Sequence, residues 1–274
     1  MSDMKRKKLW IVLVSVIAGL ILLFGGVYLL TKLNSVSVEF RTRLSQDETR
    51  LETGILDKVK DSAELDYKKS VLFLNTKSAV AKIEKSNPYV KVQQIIRKFP
   101  NKVNIYISER IPKYRISDPD STEKWFILDE DFKVLESLTT TELENKGLNT
   151  KTVEIKHISE KVYIGDFLSK PQEMANLNNI LSGVYGKTKD YFAVVSIDFL
   201  AENSTYFITM KSGIVNYEGG CVMQIVGVND LKNKAFKATS VYVGSEGALN
   251  GVDLSQKVII ISDESGCKVK NQEG

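Results

Sequence analysis

The sequence predicts an α+β protein: an N-terminal transmembrane helix, a β-α-α-β-β domain behind it, and then a mixed, β-rich domain with flanking helices. Three observations carry this. Leu9 to Leu30, "LWIVLVSVIAGLILLFGGVYLL", is an uncharged apolar run long enough to span about 33 Å as a helix. Two amphipathic helical patterns follow a short alternating strand and precede a pair of alternating strands. Beyond residue 117 strand patterns dominate, with helices interspersed.

The apolar run exceeds the roughly 7 to 15 residues of a cleavable signal peptide and passes directly into Tyr28, Leu29 and Leu30, so it reads as an uncleaved anchor. Lys5, Arg6, Lys7 and Lys8 precede it against a single acid, Asp3. By the positive-inside rule the short tail lies in the cytoplasm and the remainder outside. Those eight residues also carry most of the net charge of +4, leaving 34 basic against 33 acidic side chains beyond them. A nearly neutral outer part with no dense Lys/Arg cluster is not the electrostatic footprint of a nucleic-acid binder.

In the first outer domain "SVSVEF" alternates Val36, Val38 and Phe40 on one face. Ser45-x-x-Glu48 has the form of a capping box, with Leu51, Ile55 and Val59 behind it, so a helix is expected from there. Asn75 or Thr76 caps a second helix whose stripe is Ala79, Val80 and Ile83, and Pro88 ends it. "YVKVQQIIRKF" and "KVNIYISER" then form a hairpin through Pro100 and Asn101. Val103, Ile105 and Ile107 share one strand face, the face that two helices cover. Pro112 cannot donate to a ladder, so the strand ends near Glu109 and Arg110. These two residues with Pro112 form either a surface pair that fixes the exit of the chain or a partner contact.

The second domain contains "VYIGDFL", a helix capped at Ser169 with Pro171 in its first turn, and strands from "FAVVSIDFL" through "STYFITMKSGIVNYEGG" with a hairpin turn at Ser212-Gly213. Asn229 or Asp230 caps a further helix to about Thr239, and "GVDLS" and "KVIIIS" are expected as the last two strands. The boundaries are a tail 1–8, a membrane helix 9–31, a first domain 33–116, a second domain 117–262 and a polar tail 263–274.

The anchor, the β-α-α-β-β order, "NPYV" at Asn87–Val90, "SERIP" at Ser108–Pro112 and "WFILDEDFKVL" at Trp125–Leu135 together resemble the FtsQ/DivIB bacterial cell-division family and its POTRA domain. The family's Asp-x-x-Gly-type turn here reads Asp129, Glu130, Asp131, Phe132, without its glycine. The resemblance implies a non-catalytic scaffold at the division septum. Its partners would be FtsL-like and FtsB/DivIC-like single-span proteins and, through them, the septal peptidoglycan synthase pair. It implies no cofactor and no small-molecule substrate. A membrane-anchored binding or signalling module unrelated to division is the alternative.

Catalysis finds little footing. Ser121-x-x-Lys124 and Ser265-x-x-Lys268 have the spacing of a serine-lysine acyl transferase, and Lys211-Ser212-Gly213 resembles a companion motif. That chemistry needs the serine at the start of a buried helix, and neither serine is so placed by pattern. His157 is the sole histidine and reads as a surface imidazole, so no histidine-rich metal site can form; Asp118 and Asp120 read as a solvated turn. Whether Cys221 and Cys267 pair is open. The most suggestive binding feature is Lys257, Val258, Ile259, Ile260, Ile261 and Ser262: an apolar strand expected at a sheet edge, guarded by one lysine, to which a partner segment adds as a strand. The competing expectation is that the tail folds back over it.

Overall fold

The computed structural model describes the backbone of residues 3–42, 49–212, 215–244 and 249–272, with side chains from residue 10 onward. The chain divides into two compact units, Met1–Arg110 and Ile111–Gly274. The first domain therefore ends earlier than the expected residue 116. Tyr114 and Ile116, both fully buried, already belong to the second unit's sheet.

The first unit opens with helix α1 (Asp3–Leu30), whose stretch Trp10–Leu30 is long and apolar enough to cross a membrane. Strand β1 (Ser35–Thr42) follows, then α2 (Ile55–Ser62), α3 (Thr76–Ser86), β2 (Val90–Lys98) and β3 (Lys102–Glu109). This is the β-α-α-β-β order that the sequence predicts. The sheet runs β1-β3-β2, with β1 parallel to β3 and β2 antiparallel to it. Helix α2 starts later than the apolar pattern implies, because Gly54 adopts φ +79° and breaks the helical path there. The Ser45–Glu48 capping box lies outside the described residues. Asn75 does cap α3, accepting a hydrogen bond from the Ser78 amide at 3.1 Å. Val59 of α2 and Ile83 of α3 meet Val103, Ile105 and Ile107 of β3 in one core in which all five side chains are fully buried.

The second unit is a nine-stranded sheet. Its strands are β4 (Tyr114–Asp118), β5 (Ser121–Leu128), β6 (Val134–Thr139), β7 (Val153–Ile155), β8 (Val194–Leu200), β9 (Thr205–Met210), β10 (Cys221–Val226), β11 (Val258–Asp263) and β12 (Gly266–Asn271). The spatial order is β12-β11-β10-β9-β8-β7-β4-β5-β6. Its helices are α4 (Thr140–Asn145), α5 (Leu148–Lys151), α6 (Pro171–Thr188) and α7 (Leu231–Tyr242). Helices α6 and α7 pack together on the main core through Leu177, Ile180, Leu181, Leu231, Ala235 and Ala238. They approach so closely that a Cβ on Gly183 would stand 2.4 Å from the Lys232 carbonyl oxygen.

Several local expectations need correction. Lys170, not Ser169, is the residue before α6, and it contributes no side-chain cap. The return strand after β9 is β10, from Cys221; "VNYEGG", residues 215–220, is irregular, held where the Tyr217 hydroxyl donates to the Tyr242 carbonyl at 2.7 Å, and Ile214 lies outside the described residues. Of the expected turn, Ser212 is described and Gly213 is not. "VDLS" is a turn, because the Asp253 carboxylate accepts from the Ser255 amide at 3.0 Å and from its hydroxyl at 2.7 Å. The polar tail in turn supplies strand β12.

Candidate functional site

Residues 258–263 form an alternating strand whose burial reads buried, half-buried, buried along its length. β11 is not an edge: it pairs parallel to β10 and antiparallel to β12. The tail folds back because Asp263 turns the chain, its carboxylate accepting from the amides of Ser265 at 2.8 Å and Gly266 at 3.1 Å and from the Ser265 hydroxyl at 2.6 Å. Gly266 sits at φ +136°, which a side chain rarely adopts. These bonds hold the Asp263 carboxyl below the usual aspartate range, the Ser265 hydroxyl first among them. The edge that faces outward is β12.

The register of that edge follows from two bonds. The Gln272 amide donates to the Lys257 carbonyl at 2.9 Å, in step with the β11–β12 pairing. Antiparallel pairs alternate between bonded and non-bonded, so Ile259 with Lys270 and Ile261 with Lys268 exchange hydrogen bonds, and Ile260 with Val269 does not. The Val258 amide donates to Gly220 at 3.0 Å on the β10 side, as this phase requires. Ile259 thus points its backbone at β12 and Ile260 points at β10, so neither amide is left for a partner. On β12 the backbones of Cys267, Val269 and Asn271 face away from the sheet. Among the described residues their amides have no bonding partner.

Side chains on the two faces of this edge differ. Val269 packs partly buried against the main core, while Lys268 and Lys270 are exposed. Across the sheet Val269 ends a continuous row of aligned apolar residues: Ile155, Ile197, Ile208, Met223, Ile260, Val269. The opposite edge of the sheet is bonded at its start, by the 165–166 segment. At β6 the Val134 amide donates to Asp166 at 2.9 Å and its carbonyl accepts from Gly165 at 2.8 Å.

The Glu109–Pro112 corner is divided between the two units. Arg110 is 4% exposed and donates to the Glu84 carboxylate of α3 at 2.9 Å, whose other oxygen accepts from the Val92 amide at 2.8 Å. Glu109 accepts from the Arg50 amide at 2.6 Å and from the Thr49 hydroxyl at 2.8 Å. Each therefore ties β3 to a different part of its own unit, which corrects the expectation of a surface pair. Pro112 is buried in the second unit. The backbones of Lys5, Arg6, Lys7 and Lys8 lie in α1.

Ser121 opens a strand and Ser265 sits in the β11–β12 turn, so neither starts a helix. Lys211 donates to the Thr150 carbonyl at 3.0 Å. Asp118 accepts from the Asp120 amide at 2.9 Å, and Lys161 pairs with Asp120 at 2.8 Å. His157 is not a surface ring: its Nε2 meets Glu173 at 2.9 Å, and the ring lies edge-on to Phe199 and Tyr206. The cysteines are both free, with β11 between their strands; Cys221 aligns with Val258 and Cys267 with Ser262. Burial pushes the Cys221 thiol up to about 12.

Comparison with known proteins finds two likenesses, one to a domain family and one to a single relative. The model of the FtsQ-type POTRA domain matches residues 31–110, the first unit less α1. Residues 31–110 form an FtsQ-type POTRA domain. The chain is also similar to the cell division protein DivIB of Clostridium tetani (strain Massachusetts / E88), 29% identical over 141 residues. That match covers 50% of this chain and 49% of the relative, so the chain spans about half the length of the curated relative it matches. The two findings together support the FtsQ/DivIB family.

Sequence reasoning held the folded-back tail only as its competing expectation, which β12 bears out, and it singled out none of Cys267, Val269 and Asn271. The signal was present. "DESG" followed by the alternation Cys267, Lys268, Val269, Lys270 has hairpin form, but its polarity resembles that of a loose tail. Glu84, the partner of Arg110, gives no sequence signal, because the two meet only once α3 has docked.

Proposed function

We propose that the chain is a non-catalytic scaffold of the bacterial division machinery, anchored in the cell membrane by α1 with its N-terminus in the cytoplasm and its two domains outside, at the septum. The observation that carries this reading is the FtsQ-type POTRA domain directly behind an apolar helix, together with the similarity to DivIB. The proposed partners are FtsL-like and FtsB/DivIC-like single-span proteins, through which the scaffold recruits and restrains the septal peptidoglycan synthase pair. The proposed docking edge is β12, in place of the Lys257–Ser262 strand itself, with Glu109, Arg110 and Pro112 as structural anchors. An unpaired row of amides beside a partly buried Val269 suits strand addition, in which main-chain bonds give affinity and alternate side chains give specificity. The placement of Ser121 and Ser265 favours a binding role over acyl transfer.

The test is depletion in dividing cells combined with cross-linking of the full chain. Filamentation with intact DNA segregation, and recovery of the two kinds of single-span protein, is the expected result. Normal division on depletion would end the reading.

A further inference from the structure

Three segments of the POTRA domain converge where α1 ends. The Tyr28 hydroxyl donates to the Lys68 carbonyl at 3.1 Å, and the Leu33 amide donates to the Lys69 carbonyl at 2.9 Å. Thr31 and Ser70, both fully buried, share a hydroxyl hydrogen bond of 2.6 Å, and the Val71 amide donates to the Thr31 carbonyl at 2.8 Å. The Asn34 amide reaches the Asn101 carbonyl in the β2–β3 turn at 2.8 Å. The Arg97 guanidinium donates to the Leu74 carbonyl at 2.8 Å, tying that hairpin to the 70–74 turn. Tyr28 lies inside the apolar stretch Trp10–Leu30, so this collar meets the helix within the stretch's last turn.

The collar's outer surface has a distinct composition. Phe73 is 73% exposed on one loop and Phe99 is 72% exposed on another, with Leu72 and Tyr67 beside them, also exposed. A single exposed phenylalanine needs no explanation. Here the two rings lie on the two segments that are hydrogen-bonded to the end of an apolar helix, and exposed Lys68, Lys69, Lys98 and Lys102 lie on the same segments, with exposed Lys32 at the helix end. Against these stands Asp66, which accepts from the Lys68 amide at 2.8 Å. Aromatic rings with flanking lysines are the side chains that settle at a membrane–water boundary: the rings enter the acyl margin and the ammonium groups reach phosphates.

We propose that this collar sits in the headgroup layer of the leaflet into which α1 emerges. Phe73 and Phe99 insert at the acyl margin, and the lysines engage the phosphates of anionic phospholipid. Continuity with α1 singles out lipid as the occupant, since the collar is hydrogen-bonded to the helix's last turn. This inference rests on the reading that α1 spans a membrane. It makes the POTRA domain a lipid-seated body rather than one swinging freely on its anchor.

The test uses the full chain in phosphatidylglycerol nanodiscs, with tryptophan reporters in a Trp10→Phe, Trp125→Phe background. Phe73→Trp and Phe99→Trp report on the collar, and Ile17→Trp reports on the helix. With nitroxide-bearing lipid, the collar reporters are expected to lose about twofold or more of their emission, at the boundary depth of about 5–10 Å. Changing Lys68, Lys69, Lys98 and Lys102 to Gln, or using wholly zwitterionic discs, is expected to reverse at least half of that loss. Quenching at Ile17→Trp without quenching at either collar position overturns the proposal and leaves the spanning reading intact. No quenching at Ile17→Trp overturns the spanning reading itself. Collar reporters that stay bright in discs and are shielded only when a co-purified protein is added assign the surface to that protein and overturn the lipid assignment.

Discussion

Proline placed at successive positions of β12 separates the two sides of the strand. Lys270→Pro removes an amide that bonds to Ile259, whose carbonyl then lacks its partner in the sheet. The lost bond is worth about 1 kcal/mol, and the stranded acceptor costs about 1–3 more, for a total of about 2–4 kcal/mol. For a domain of this size that corresponds to roughly 4–16 °C in Tm. Val269→Pro removes an outward amide and no ladder bond. Its cost is the loss of some side-chain burial, about 1 kcal/mol or less, which Val269→Ala measures separately. Calorimetry of the full chain in detergent reads the stability, and titration with the FtsB/DivIC-like partner reads the affinity. Val269→Pro is expected to melt within about 1 kcal/mol of Val269→Ala yet to bind roughly tenfold or more weakly, about 1.4 kcal/mol. Equal destabilisation by the two prolines would refute the register. A stable Val269→Pro with unchanged affinity would refute β12 as the docking edge.

Arg110→Met strands the Glu84 carboxylate in the POTRA interior and is expected to cost about 3 kcal/mol by guanidinium unfolding; adding Glu84→Met should recover part of this, because no buried charge is then left without its counterion, although the Val92 amide loses its acceptor. Gly183→Ala is expected to destabilise by about 1–3 kcal/mol in the same assay, despite alanine's better helix propensity, because its Cβ would stand 2.4 Å from the Lys232 carbonyl oxygen and α6 must move off α7. The Asp263 carboxyl is held low in the folded state, so its contribution is present above the ordinary aspartate value of about 3.9 and fades as pH falls below it. The protection of the hydrogen-bonded β12 amides, their exchange rate relative to the intrinsic rate at each pH, should therefore fall below about pH 4 in the wild type, and Asp263→Asn should flatten that dependence.

The POTRA elements were legible because each is local: Asn75 caps the helix it precedes, Pro112 follows the strand it ends, and Val103, Ile105 and Ile107 alternate on a face that helices bury. What stayed hidden depends on partners far along the chain. Arg110 looks like a surface charge until α3 brings Glu84 to it. The turn at Asp129–Phe132 shows the limit differently. Phe132 occupies the left-handed region at φ +60°, where the family pattern has glycine. That conformation costs about 1–2 kcal/mol, and the structure retains it because the ring is fully buried, edge-on to Tyr114 at 5.3 Å, while Asp129 accepts from the amides of Asp131 and Lys133 at 2.9 Å each. Turn chemistry alone does not reveal that burial outweighs the strain.

The β12 edge also sets what a docking strand must look like. On the core face, an added residue opposite Val269 extends the aligned row from Ile155 to Ile260, whose members are all buried, so an apolar side chain there completes the burial that Val269 alone leaves partial. On the other face the neighbours are Lys268 and Lys270, both exposed, so the flanking positions favour acidic or polar groups. The required pattern has a period of two, and a slip of one residue would set acids against the core and apolar groups against lysines. The same lysines discourage pairing between two copies of β12, which would bring like charges together. A partner peptide with apolar and acidic residues alternating should therefore bind, and a permuted peptide of identical composition, shifted by one position, should bind roughly tenfold or more weakly in the same titration. Equal binding of the two peptides would mean that the contact does not read the alternation of this edge.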